Sequence, residues 1–165
     1  MSRKSRSFWL AVVFFICVIY LFDVKRIRFY LVPSDSMAPT LKQSDYIIGF
    51  GTRPSQLQRG DIVVFTSGHK RDFYVKRIVG LPGETVAILD GVVYINGRRL
   101  EETYVRNRSS DRLGPISVAD GYIFLMGDNR TNSFDSRWFG PVPASMVEAE
   151  VSFIYNPVSR MGRVE

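Results

Sequence analysis

Three short segments of this sequence carry hydroxyls, an amine and carboxylates that strand patterning does not explain. They are Pro33-Ser34-Asp35-Ser36-Met37-Ala38-Pro39-Thr40-Leu41, Tyr74-Val75-Lys76-Arg77-Ile78-Val79-Gly80-Leu81-Pro82-Gly83-Glu84, and Gly127-Asp128-Asn129-Arg130-Thr131-Asn132-Ser133-Phe134-Asp135-Ser136-Arg137. A serine hydroxyl attacks a carbonyl effectively only when a neighbouring base takes its proton, and a lysine can be that base once it is held neutral. Each segment also has a plainer reading: a Ser/Pro loop, an edge strand with outward charge, and a polar turn rich in Asn and Asp.

The inventory of other reactive side chains narrows the chemistry. The one histidine, His69, lies in the polar run Thr66-Ser67-Gly68-His69-Lys70-Arg71-Asp72, which reads as a solvated loop. Any Ser/His/Asp or Cys/His scheme has to use it, and multi-histidine metal sites are excluded. The one cysteine, Cys17, sits in the most apolar stretch, so neither a disulfide framework nor a cysteine-ligated zinc site can be built. No metal or organic cofactor is implied. The formal net charge is +6, but the basic residues are scattered, and no helix-turn-helix, zinc-finger or RNA-binding signature accompanies them. Nucleic acid is therefore not an expected partner.

These groups must be positioned by one domain and one tail, which is what 165 residues allow. From Phe8 to Phe22 the chain is wholly apolar, with Arg3, Lys4 and Arg6 before it and Lys25, Arg26 and Arg28 after. Fifteen helical residues span roughly 22 Å against a hydrocarbon core of about 30 Å, between the lengths of a signal peptide and a spanning anchor. Bulky Tyr20, Leu21 and Phe22 run straight into charge with no small-residue cleavage signal, while Trp9 and Tyr20 stand where interfacial aromatics belong. The segment reads as an uncleaved anchor within residues 1–24, with Cys17 facing lipid. Basic residues on both flanks leave its orientation undecided by charge.

Residues 25–165 read as an antiparallel β domain. LVPS, DYIIGF, DIVVF, FYVKRIVGL, TVAILD, VVYING, YIFLMG and EVSFIY are short runs rich in Val, Ile, Tyr and Phe. Asp90-Gly91, Asn96-Gly97 and Asp120-Gly121 are short-loop pairs between them, and Leu81-Pro82-Gly83 is a further break. The polar stretch Glu101 to Pro115 reads as a long mobile excursion, and Pro143 to Val147 as the only helical candidate of the body. Pattern alone stops at a small β-barrel or sandwich.

In that order and at those separations, together with Gly60-Asp61-Ile62-Val63-Val64-Phe65, the three segments resemble the bacterial type I signal peptidases, or leader peptidases. The likeness runs from about Pro33 to Pro143, and the apolar N-terminus stands where that family has an anchor. It implies a Ser/Lys-dyad serine endopeptidase with Ser36 as nucleophile and Lys76 as general base. Ser34 would be a side-chain oxyanion donor, and Ser133 would orient the lysine amine. Asp128, Arg77, Asp135 and Arg137 would form a structural frame of ion pairs. The implied fold is mainly antiparallel β, barrel-like, with one N-terminal transmembrane helix and a variable subdomain over about 84–120. The implied partners are signal peptides of exported preproteins, cut after small residues at −3 and −1, and membrane lipid. The implied location is the cell membrane, single-pass, with the catalytic domain on the extracytoplasmic side. Thr131 and Asp35 depart from the commoner pattern, and the variable half is short.

Physical chemistry points the same way. A free lysine titrates near 10.4, so a base working near pH 8 must be lowered by roughly 2 to 3 pH units, about 3 to 4 kcal/mol against the ammonium. Period-two alternation places Tyr74, Lys76 and Ile78 on one face of a strand and Arg77 on the other, which sets the amine beside apolar side chains. Substrate is expected to add as a strand beside Phe29 to Pro33 and Phe73 to Val75, with Val32, Pro33, Leu41, Tyr74 and Val75 as binding residues. Two alternatives remain open on sequence: a conjugative pilin-processing Ser/Lys peptidase, and a non-enzymatic, membrane-tethered peptide-binding β module. Self-cleaving SOS-type repressors share the dyad but are disfavoured by the apolar N-terminus and the absence of DNA-binding helices. Nothing in the sequence sets an oligomeric state.

Overall fold

The computed structural model describes residues 3–24, 27–66 and 73–164. His69, Lys25 and Arg26 lie outside the described residues. Helix α1, Arg3–Val24, covers the apolar run, and its Phe8, Leu10, Phe14, Phe15, Ile16 and Tyr20 are exposed, as is Cys17. Among the described residues no helix is long and apolar enough to cross a membrane. The segment expected to span a membrane is thus helical, without the length and apolarity of a span among its described residues.

The rest of the chain is mainly β, and every strand pairing is antiparallel. The strands are β1 (Ile27–Leu31), β2 (Tyr46–Phe50), β3 (Ile62–Thr66), β4 (Phe73–Gly80), β5 (Thr85–Leu89), β6 (Val92–Ile95), β7 (Arg98–Arg99), β8 (Leu113–Ser117), β9 (Tyr122–Met126), β10 (Val142–Pro143), β11 (Val147–Asn156) and β12 (Gly162–Arg163). The larger sheet runs β1-β2-β11-β3-β4-β9-β10, with β12 on β11; the smaller runs β7-β6-β5-β8. Asp90-Gly91 and Asn96-Gly97 make the two-residue turns around β6, with positive φ at all four residues. That conformation suits the right-handed twist of the strands it joins.

Two central strands are buried on both faces. In β3, Ile62 and Val64 enter one apolar cluster with Val32, Met37, Leu41, Ile47 and Val75, while Val63 and Phe65 enter another with Ile78, Ile123 and Leu125. In β9, Phe124 and Met126 turn instead to a third cluster beneath the smaller sheet, with Val79, Val86 and Val93. Burial on both sides explains why these strands read as unbroken apolar runs.

Three sequence expectations are corrected here. The body holds a short helix, α2 (Ser136–Phe139), capped by Asp135, which the periodicity of four residues cannot reveal. Pro143 to Val147 holds only a 3-10 turn, Ala144–Met146. The stretch from Glu101 is irregular up to Arg112, but it is no free loop: Glu102 is buried, and the stretch ends in β8.

Candidate active site

Ser36 sits in a single 3-10 turn, Asp35–Met37, that follows β1. The turn is tied to the core by Met37, which is fully buried, and by Leu41 N donating to Met37 O at 2.9 Å. From the far side Asn129 clasps it twice: its backbone N donates to Ser36 O at 3.1 Å and its Nδ2 to Asp35 O at 3.1 Å. The Asp35 carboxylate accepts from Gln43 N at 2.9 Å, so its charge is spent on the loop backbone.

Lys76, on β4, donates from Nζ to Ser36 Oγ at 2.7 Å and to Val75 O at 3.0 Å. Lys76 is 3% exposed and Ser36 9%. Burial is the main reason the Lys76 amine is lowered to about 8; Asp135 and Asp128 pull it up and Arg137 pushes it down. A hydroxyl in contact with an amine that is substantially neutral near pH 8 can lose its proton while attacking a carbonyl.

The Ser34 hydroxyl donates to Ser36 Oγ at 3.3 Å and faces the opening. Ser133 Oγ is buried and, among the described residues, meets no hydrogen-bond partner of good geometry, although it lies near enough to Asp135 to favour that carboxylate's ionised form. Its proximity to the Ser36 turn depends on Gly127. A Cβ there would stand 2.3 Å from Ser133 Oγ and 2.4 Å from Ser36 O, both inside van der Waals contact.

The four charged residues of the expected frame form two buried pairs. Arg77 Nε and Nη2 donate to Asp128 Oδ1 and Oδ2 at 2.9 and 2.8 Å, and Nη1 donates to Gly60 O at 2.8 Å. Gly60 adopts φ +96, a conformation glycine takes without strain, and this aims its carbonyl. Thr40 Oγ1 donates to Asp128 Oδ2 at 2.5 Å, which brings the Ser36 segment onto the same carboxylate. Arg137 Nε and Nη2 each reach Asp135 at 2.8 Å, holding that carboxyl below its ordinary range against the effect of burial.

A cleft of about 110 Å³ opens beside the dyad, lined by Val32, Pro33, Ser34, Ser36, Met37, Phe73, Tyr74, Val75 and Lys76. Four of the five expected binding residues line it. Leu41 does not: it is wholly buried in the cluster behind, and Met37 and Phe73 take part in its place. Among the described residues, the cleft lies between β1, the last strand of its sheet, and the part of β4 before Arg77, where its pairing with β9 begins. Sequence reasoning gave no role to Asn129, Thr40 or Gly127. A short polar side chain and a glycine next to Asp128 were the available signals, but their contacts come from residues 88 to 94 positions away.

Comparison with known proteins identifies the family. The family model for signal peptidase, peptidase S26, matches residues 5–156. A probable signal peptidase I-2 of Synechocystis is 37% identical over 79% of this chain, and the match spans 64% of that relative's length. A signal peptidase I of Bacillus licheniformis is 31% identical over 99% of this chain and 96% of its own. The crystal structure of a signal peptidase I from Enterococcus faecalis is 36% identical, with a TM-score of 0.51, over 58% of this chain and 96% of that one. The chain belongs to the signal peptidase family, peptidase S26, a family of serine endopeptidases.

Proposed function

We propose that this protein removes signal peptides from exported preproteins, with Ser36 as nucleophile and Lys76 as general base. The observation that carries the reading is the 2.7 Å contact between Lys76 Nζ and Ser36 Oγ in a buried setting that lowers the amine to about 8. Lys76 takes the Ser36 proton as Oγ bonds to the scissile carbonyl, then returns it to the leaving amine. The acyl-enzyme is released by water activated by the same amine. The Ser36 amide and the Ser34 hydroxyl receive the oxyanion, and Ser133, whose buried Oγ makes no bond to the amine at rest, takes up its role of orienting the amine during the reaction.

The substrate lies as an added strand between β1, at the end of its sheet, and the first residues of β4. Val32, Pro33, Tyr74 and Val75 form shallow walls that admit small residues at −3 and −1. Helix α1, with apolar side chains exposed along its length, anchors the chain in lipid, within residues 1–24. The β domain, 25–165, works on the extracytoplasmic face where exported chains emerge, with a variable subdomain over about 84–120.

The test is cleavage of a preprotein in detergent or lipid by the parent chain, Ser36→Ala and Lys76→Ala, with folding checked by circular dichroism. Two folded, inactive variants and a product beginning after a small-x-small sequence are expected. Retained activity in Lys76→Ala with loss in His69→Ala would overturn the assignment of the base.

A further inference from the structure

The irregular stretch between β7 and β8 sends two side chains under the catalytic loop. The Glu102 and Arg130 side chains are each 1% exposed and form a two-pronged pair: Arg130 Nη1 donates to Glu102 Oε2 at 3.0 Å, and Nη2 donates to Oε1. Arg130 Nε donates to Gly127 O at 3.1 Å. Tyr104 donates its hydroxyl to Glu102 Oε1 at 3.0 Å, and its ring carries the Arg77 guanidinium 4.1 Å from the centroid. The one carboxylate thus reaches Gly127 through Arg130, and through Tyr104 it reaches the residue that follows Lys76. Asp111, later in the same stretch, accepts from Arg137 Nη1 at 2.6 Å, and that guanidinium also holds Arg130 O at 2.7 Å.

Removing a carboxylate and a guanidinium from water costs several kcal/mol each, and an apolar pair of similar volume is often as stable. Stability alone therefore gives weak reason for this pair. One of its contacts holds the carbonyl of Gly127, whose missing Cβ lets Ser36 O and Ser133 Oγ approach. We infer that Glu102 and Tyr104 are positioning residues for the Ser36–Lys76 centre, fixing from below the loop that carries Gly127, Ser133 and Asp135. The inference rests on the reading of Ser36 and Lys76 given above.

Among the described residues, the charged groups that weigh most on Lys76 are Asp135, Arg137 and Asp128. A loop held less firmly admits water to the amine and lessens the burial that lowers it, so loss of Glu102 reaches the pH profile through position. The experiment measures kcat, KM and the pH dependence of kcat/KM for the full chain in detergent, on a peptide with alanine at −3 and −1. Glu102→Gln is expected to lower kcat about tenfold or more, keep KM within about twofold, and move the acid limb to higher pH. Tyr104→Leu should behave likewise, while Tyr104→Phe, which keeps the ring over Arg77, recovers most of kcat. A folded Glu102→Gln with the parent's kcat and acid limb overturns the inference. If Glu102→Gln does not fold, the tyrosine pair decides, and Tyr104→Leu at the parent's kcat overturns it. Ser36→Ala and Lys76→Ala run alongside: their activity would sink the dyad itself, whereas dead dyad variants beside a parent-like Glu102→Gln sink only the positioning role.

Discussion

Lys76 Nζ stands 2.7 Å from Ser36 Oγ although 40 residues of chain separate them, and the amine is brought there already lowered to about 8. Only the neutral amine can accept the serine proton. Activity should therefore rise about tenfold per pH unit below that value and level off above it. A kcat/KM profile that is flat from pH 6 to 9 would exclude Lys76 as the base.

The same burial has a thermodynamic signature. The folded pKa lies below the ordinary value of 10.5, so between about 8 and 10.5 the unfolded chain binds the proton more readily. Stability should then increase with pH across that window, by up to about 3 kcal/mol from this group. Lys76→Met lacks this titration. It should be more stable than the parent near pH 7, with the gap closing as pH rises towards 10, as read by denaturant unfolding at several pH values.

Ser34 touches Ser36 Oγ through its hydroxyl and packs in no apolar cluster. Ser34→Ala should slow kcat by roughly 10² to 10³, the usual loss of one oxyanion donor, and leave the melting temperature near the parent's. Parent-level turnover in that variant would remove Ser34 from the mechanism.

Asp128 is the reverse case, because its carboxylate is wholly buried and takes hydrogen bonds from Arg77 and Thr40. Asp128→Ala strands the guanidinium, and a loss of about 3 to 5 kcal/mol is expected. Chemical denaturation should show it even in a Ser36→Ala background, where catalysis plays no part.

Gly127→Ala tests close approach. The added methyl would meet Ser133 Oγ and Ser36 O well inside contact distance, so one of the two segments must move. Loss of activity larger than the loss of stability is expected, because displacement of either segment disturbs the site before it disturbs a core cluster. Equal activity at equal stability would show that the loop accommodates the methyl freely.

Much of the fold was legible because β2, β3, β4, β5, β6, β9 and β11 carry Val, Ile and aromatic runs, and because Asp90-Gly91 and Asn96-Gly97 bound β6 while Asp120-Gly121 precedes β9. Periodicity also separated Lys76 from Arg77 correctly, since a strand sends successive side chains to opposite faces. The stretch from Glu101 to Arg112 could not be read this way. Its order comes from Glu102 on Arg130 and Asp111 on Arg137, ion pairs that leave no periodic trace in a polar sequence. Leu41 was misplaced for a related reason: adjacency to a motif says nothing about which side of the chain a side chain leaves from.

The alternation of Lys76 and Arg77 has a consequence for assembly of the sheet. A slip of β4 by one residue would drive Arg77 towards Ser36 and leave Asp128 facing an amine too short and too differently shaped to grip both its oxygens. The correct pairing satisfies two buried ions at once, and the shifted one satisfies neither. Arg77 and Asp128 therefore act as a register lock on β4: they penalise its slip by one residue and so favour the pairing that brings Lys76 beside the nucleophile.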